Sequence, residues 1–228
     1  MLQKNQYNNP ISYQNVRPEI LRQIKPCISI LDVGCNNGAL GEQILFDGLA
    51  KNVIGVDYNP MAIEVARGKL TEAFVVDLNT PEQFDILLKD KFFDVIICAD
   101  VLEHINDPVT IVQILSSHLS PGGYIVISLP HIGHYSLFFH FMRNRLPRRD
   151  RGIYDKTHKQ FFFKRNLKEL CPKDMEFSIV DRNYRLFDQK QGKWDLTWVR
   201  FVRFIPWIRT FVTYQFIFTL RGICYRVR

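Results

Sequence analysis

Short, continuous apolar runs separated by stretches of helical period organise the first 130 residues of the chain. Ile28, Ile30, Leu31 and Val33 fit a strand buried on both faces, and Asn52–Asp57, Ala73–Val76, Phe92–Ala99 and Tyr124–Leu129 repeat the pattern. Between them, ALGEQIL after Gly38, the stretch Pro60–Leu70 and the stretch Val109–Leu119 place apolar residues three and four apart, as one face of a helix requires. Strands alternating with helices predict a parallel, doubly wound α/β sheet, with ligand bound at the carboxyl ends of the strands. Asp32, Asp57, Asp77 and Asp100 all stand at or near such ends, which a random scatter of acids would not do.

The flanks are less regular. Residues 1–12 read as a flexible, Asn/Gln-rich lead. Tyr13–Lys25, with Val16, Ile20, Leu21 and Ile24 at helical spacing and a stop at Pro26, reads as a helix over the ligand mouth. Beyond Pro130, residues 131–156 combine an aromatic stretch with five arginines and are expected to form a lid insertion. A helix is expected to start near Lys164–Asn166, a sixth strand at Glu176–Arg185 and a seventh at Tyr214–Cys224. Between those two strands lies an aromatic and basic insertion, 187–212. There Trp194, Trp198, Phe201, Ile205, Ile208 and Val212 recur at helical spacing, and Pro206 predicts a kink. That helix packs on the sheet or at a homodimer contact, or lies peripherally on an anionic membrane. The expected organisation is one domain over 1–228.

Composition narrows the class. With 228 residues and 46% apolar content the chain can bury a full core without staples. Five scattered cysteines with no C-x-x-C pair argue against a disulfide framework and a zinc site, and predict a reducing compartment. No run reaches 18 uncharged apolar residues and no signal-type core opens the chain, so the expectation is a cytoplasmic protein, peripheral at most to the inner face of a membrane. The net charge of +7 hides an asymmetry: residues 1–130 carry 9 Lys/Arg against 15 Asp/Glu, and residues 131–228 carry 21 against 8. A basic second half implies an anionic partner or acceptor.

The chemistry concentrates at DVGCNNG. Gly34 and Gly38 allow a close backbone approach, Asn36 tolerates positive φ, and the following helix offers free amides. The spacing differs from the G-x-G-x-x-G of dinucleotide sites and carries an acid, Asp32, two residues ahead of its first glycine. DVGCNNG resembles the first motif of class I S-adenosylmethionine-dependent methyltransferases, with Asn36 for the middle glycine. ADVLEHINDP at 99–108 and Pro121-Gly122-Gly123 before a strand resemble later motifs of the same family. The resemblance implies a Rossmann-like seven-stranded, mostly parallel sheet with an antiparallel last strand, and S-adenosyl-L-methionine as cofactor. It assigns Asp32, Gly34, Asn36 and Gly38 to the cofactor loop, Asp57 to the ribose hydroxyls, Asp77 and Leu78 to the adenine, and Asp100 to the cofactor at the end of the fourth strand.

Asp155-Lys156-Thr157-His158-Lys159-Gln160-Phe161-Phe162 resembles the Asp-x-Thr-His-x-x-Phe-Phe run of methyltransferases associated with surface-polysaccharide synthesis, and SLPHIGHY at 128–135 is similar to the methionine biosynthesis protein W family. The leading expectation is O-methylation of a sugar-linked or otherwise anionic small molecule. A hydroxyl acceptor gains from a general base, for which His is suited near neutral pH. His158 is the first candidate, with Asp155 as orienter, and His131 the second; His104 is expected to cap or pack near the cofactor. His131, His134 and His140 lack an acid or Cys to complete a ligand set, so no metal is assigned. A regulatory partner of methyltransferase fold is the alternative. A nucleic-acid methyltransferase ranks third, because the Asn/Asp-Pro-Pro-aromatic motif used on exocyclic amines is absent.

Overall fold

The computed structural model describes residues 16–184 and 205–223. Its core is one seven-stranded sheet of order β3-β2-β1-β4-β5-β7-β6, formed by β1 (Ser29–Val33), β2 (Asn52–Asp57), β3 (Glu72–Val75), β4 (Phe93–Ala99), β5 (Leu119–Pro130), β6 (Met175–Tyr184) and β7 (Thr213–Gly222). The first five strands pair in parallel. β7 runs antiparallel to both β5 and β6, with Pro130 opposite Gln215 and Ser128 opposite Ile217. This is the predicted Rossmann-like methyltransferase sheet.

Seven described helices complete it: α1 (Pro18–Leu21), α2 (Ala39–Phe46), α3 (Pro60–Ala66), α4 (Pro81–Leu88), α5 (Pro108–Ser117), α6 (Ser136–Met142) and α7 (Pro206–Phe211). Proline opens α1, α3, α4, α5 and α7. Its fixed φ suits the first turn, where a missing N–H costs nothing. The sheet separates two apolar layers because successive strand residues face opposite ways. Ile30, Val53, Val95, Ile97 and Val126 pack with α1, α2 and α3. Leu31, Val33, Ile96, Cys98 and Ile127 pack with α4, α5 and the 3₁₀ turn Asn166–Leu170.

Three expected elements differ. The N-terminal helix is a single turn, Pro18–Leu21, within the described part of Tyr13–Lys25, since Pro18 cannot continue a helix from upstream. The helix expected after Lys164 is that 3₁₀ turn, Asn166–Leu170. Pro206 begins α7 rather than kinking a longer helix. Trp194, Trp198 and Phe201 lie outside the described residues. The helix α4 is not among the elements expected from the sequence, and it buries only Phe84 and Leu88.

Candidate active site

The chain leaves β1 upward into one crevice and β4 into the same crevice from the other side, because strand order reverses between them. Such a reversal opens a cleft at the carboxyl ends. The loop after β1 is held from beneath: the amides of Gly34 and Cys35 donate to the Val56 carbonyl at 2.8 and 3.0 Å. Gly34, Asn36 and Gly38 all have positive φ, at 74°, 49° and 76°. A Cβ at Gly34 would stand 2.8 Å from Val101 Cγ2. The glycine is therefore demanded by the protein's own packing against the loop after β4, and not by a ligand alone.

Asp57, at the end of β2, turns both carboxylate oxygens onto backbone: Oδ2 accepts from the Asn36 amide and Oδ1 from the Asn59 amide, each at 2.9 Å. It thus ties the glycine loop to β2. Helix α3 is capped by Asn59, whose side chain accepts from Met61 and Ala62. Asp32 is 2% exposed, and its Oδ2 has no hydrogen-bond partner. Burial, with Asp57 adding like charge, raises its pKa to about 7. Asp77 is exposed and accepts from both nitrogens of Asn79, while Leu78 is buried.

Asp100 follows β4 with φ at 55°, a strained conformation for a residue with a Cβ. Three side chains fix it. Ser128 Oγ donates to Oδ1 at 3.0 Å, Gln215 of β7 donates to the same oxygen, and Arg17 pairs with Oδ2. Arg17 and Gln215 were invisible as site residues in the sequence because they sit 83 and 115 positions away.

The 3₁₀ turn Leu102–His104 then carries Glu103 inward to 1% exposure, its Oε2 unpartnered. Burial first, and Asp100 second, push the Glu103 carboxyl well above the usual range. The Glu103 carbonyl accepts from the amides of Lys159 and Gln160 at 2.8 and 3.0 Å, which brings the 155–162 segment against β4. His158 Nε2 lies 3.9 Å from Glu103 Oε1, and its ring meets that of His104 edge-on with centroids 4.9 Å apart.

The tautomers follow from the partners. A carbonyl only accepts, so His158 Nδ1 donates to the Ile153 carbonyl at 3.2 Å, and His104 Nδ1 donates to Thr157 at 3.3 Å from its carbonyl and 3.1 Å from Oγ1. Both rings keep Nε2 as the acceptor. Desolvation, with His104 adding to it, lowers the His158 pKa. No hydrogen bond joins the Asp155 carboxylate to the His158 ring: Asp155 Oδ1 accepts from the amide and hydroxyl of Thr157 at 2.8 and 2.6 Å, and the ring's Nδ1 is taken by Ile153. Ile153 does the orienting.

His131 does not join this group. It is 2% exposed, donates from Nδ1 to the Thr213 carbonyl at 3.2 Å and lies edge-on to Phe216 and Phe163. Burial lowers its pKa to about 4. Its place is that of a neutral strut between β5 and β7. The set that does assemble is Glu103, His104 and His158, whose donor atoms lie within 4.8 Å of one another. Sequence reasoning weighed His131, His134 and His140 as ligands; the adjacent Glu103-His104 pair was the signal for this different cluster, which can relay a proton or hold a cation.

The sheet order, the left-handed glycine loop and the acids at the strand ends define a class I methyltransferase architecture. A family model described as a methyltransferase domain matches residues 8–181, and the chain belongs to that family. It is similar to the ubiquinone biosynthesis O-methyltransferase of Xanthomonas campestris pv. campestris (strain B100), 34% identical over 105 residues that cover 45% of this chain and 43% of the relative. The protein of the same name from Colwellia psychrerythraea is 33% identical over 132 residues, 53% of this chain and 52% of the relative. The chain thus spans about half the length of the curated relatives it matches. Its fold is similar to that of a SAM-dependent methyltransferase from Archaeoglobus fulgidus, with a TM-score of 0.60, 20% identity and 90% of each chain covered. The cofactor of this family's class I fold is S-adenosylmethionine, and the unpartnered Asp32 oxygen beneath a left-handed loop fits a cationic, hydrogen-bonding ligand.

Proposed function

We propose that the chain transfers a methyl group from S-adenosylmethionine to a hydroxyl of a small-molecule acceptor, with His158 as general base. Asp32, Gly34, Asn36, Gly38, Asp57, Asp77, Leu78 and Asp100 form the cofactor cradle. The bound sulfonium supplies a methyl group already activated for displacement. The chain's share is therefore alignment, worth ~7–11 kcal/mol in favourable cases, and removal of one proton.

The observation that carries the reading is His158 itself. Its Nδ1 is occupied by the Ile153 carbonyl, which leaves the Nε2 lone pair facing Glu103 in a water-poor corner at the end of β4. The lowered pKa keeps that imidazole neutral at neutral pH, ready to take a hydroxyl proton. Relatives named O-methyltransferases support a hydroxyl as acceptor. A sugar or glycan-linked hydroxyl is the acceptor that the Asp155-Thr157-His158-Phe161-Phe162 run favours, and the basic second half suits an anionic one. The relatives' name favours a hydroxyl on a ubiquinone precursor as a second class.

His158→Ala tests the base. Turnover with either acceptor class falls by about 10²–10⁴, the usual worth of general-base help, while calorimetric titration of S-adenosylmethionine stays unchanged. Unaltered turnover would remove His158 from the reaction. Failure of the intact, folded chain to bind S-adenosylmethionine would instead favour a regulatory partner of the same fold. Asp57→Ala, which frees the Asn36 amide, loses cofactor affinity on the enzymatic reading.

A further inference from the structure

The segment between β5 and the His158 run does not cover the cleft with its apolar side chains. Helix α6 buries none of its residues. Phe138 is 62% exposed, Phe141 78% and Met142 66%, and Leu146 follows at 56%. The end of helix α7 meets the start of α6, where the Tyr135 amide donates to the Phe211 carbonyl at 2.8 Å. It adds Phe211 at 58% and Ile208 at 43%. The exposed apolar side chains gathered on α6 and the turn after it, with Phe211 where α7 meets that helix, are more than scattered single surface hydrophobics.

The segment that carries α6 is strongly basic. Residues 131–156 hold five Arg and one Lys against two Asp. Asp150 is already engaged by Lys156 Nζ at 2.5 Å, and Asp155 by Thr157. The arginines at 143, 145, 148, 149 and 151 follow directly on the aromatic helix. Among the described residues no helix is long and apolar enough to cross a membrane, and α6 and α7 have only 7 and 6 residues.

We propose that α6, α7 and the arginine run dock the chain onto the surface of an anionic lipid bilayer, aromatic side chains in the headgroup region and guanidinium groups on lipid phosphates. An aromatic stripe bordered by basic residues is what such an interface takes. A second copy of the chain is disfavoured by charge, because an isologous contact sets each arginine run against its twin. The patch leaves β5 six residues after Pro130 and returns at Ile153 and Tyr154, on the cleft side of the sheet. An acceptor carried in the bilayer would thereby reach His158. The docking itself is independent of the acceptor reading, because it is measured without turnover.

The test is cosedimentation of the full chain with vesicles of phosphatidylcholine alone and of phosphatidylcholine and phosphatidylglycerol in equal parts. The chain pellets with the anionic vesicles about tenfold more than with the neutral ones, and added salt reverses the difference. Phe138→Ser with Phe141→Ser lowers anionic-vesicle binding by about tenfold, as does Arg145→Ser with Arg148→Ser. Cofactor titration confirms that both variants are folded. A folded chain that stays in the supernatant overturns the proposal, as does a Phe138/Phe141 variant that pellets like the parent. It falls equally if the variant abolishes a concentration-dependent dimer, or retention on nucleic acid, while vesicles bind neither protein.

Discussion

Asp32→Asn offers the sharpest probe of the cleft. The carboxyl is buried beside Asp57, and its pKa rises from the ordinary 3.8 to about 7. The folded state therefore holds the proton more tightly than the unfolded one. The sign follows from linkage: this group's contribution is best at acid pH, and stability is lost as pH rises from the unfolded to the folded pKa. A shift of about three units amounts to roughly 4 kcal/mol of destabilisation well above neutral pH, and about 3 kcal/mol of it accrues between about pH 5 and 8. Asparagine cannot ionise, so the variant escapes that loss. Burying its amide adds a penalty of about 1–3 kcal/mol, but one that does not vary with pH. The comparison of variant with parent at each pH thus isolates the ionisation. For a domain of this size, each kcal/mol moves the midpoint by about 2–4 °C. Thermal unfolding of the ligand-free proteins, followed by circular dichroism, should show the variant gaining on the parent by about 6–12 °C between about pH 5 and 8. A difference that is flat with pH would refute the reasoning, because it would mean that Asp32 is solvated or paired in the folded chain.

Other tests follow from the same geometry. Gly34→Ala places a methyl group 2.8 Å from Val101 on a residue with φ of 74°, and should cost about 2–4 kcal/mol in denaturant unfolding; adding Val101→Ala should recover the steric share of about 1–3 kcal/mol and leave the dihedral share. No recovery would show that the close approach to Val101 is not limiting. His131, its pKa lowered by burial to about 4, contributes stability that is complete above its unfolded pKa and lost as pH falls from about 6.5 toward 4. His131→Leu should flatten that part of the stability profile, and an unchanged slope would place the ring in water. The Glu103–His104–His158 cluster serves as base and relay without a metal on the present reading, so chelator should leave turnover unchanged. Loss with chelator and recovery with Mg²⁺ would reassign those donors to a cation.

The sequence by itself determined the parallel half of the sheet and the loop after β1, because both are local. Buried parallel strands need unbroken apolar runs, and a left-handed turn at residues 34–38 needs glycine and asparagine. Distance along the chain nominated Asp57 as a candidate, but its grip on the Asn36 amide could not be read there. Tertiary structure decided everything that depends on distant partners. Arg17, Ser128 and Gln215 converge on Asp100 from three separate elements, and only β7 lying beside β5 brings the last of them there. His158 gains its neutral, oriented imidazole from Ile153 and from burial against Glu103 rather than from the neighbouring Asp155. His131, alike in type and equally close to a strand end, is turned inward between aromatic rings. Residue type and spacing can nominate a histidine. Burial and hydrogen-bond partners, set by the packing of elements far apart in the chain, decide whether it is a base or a strut.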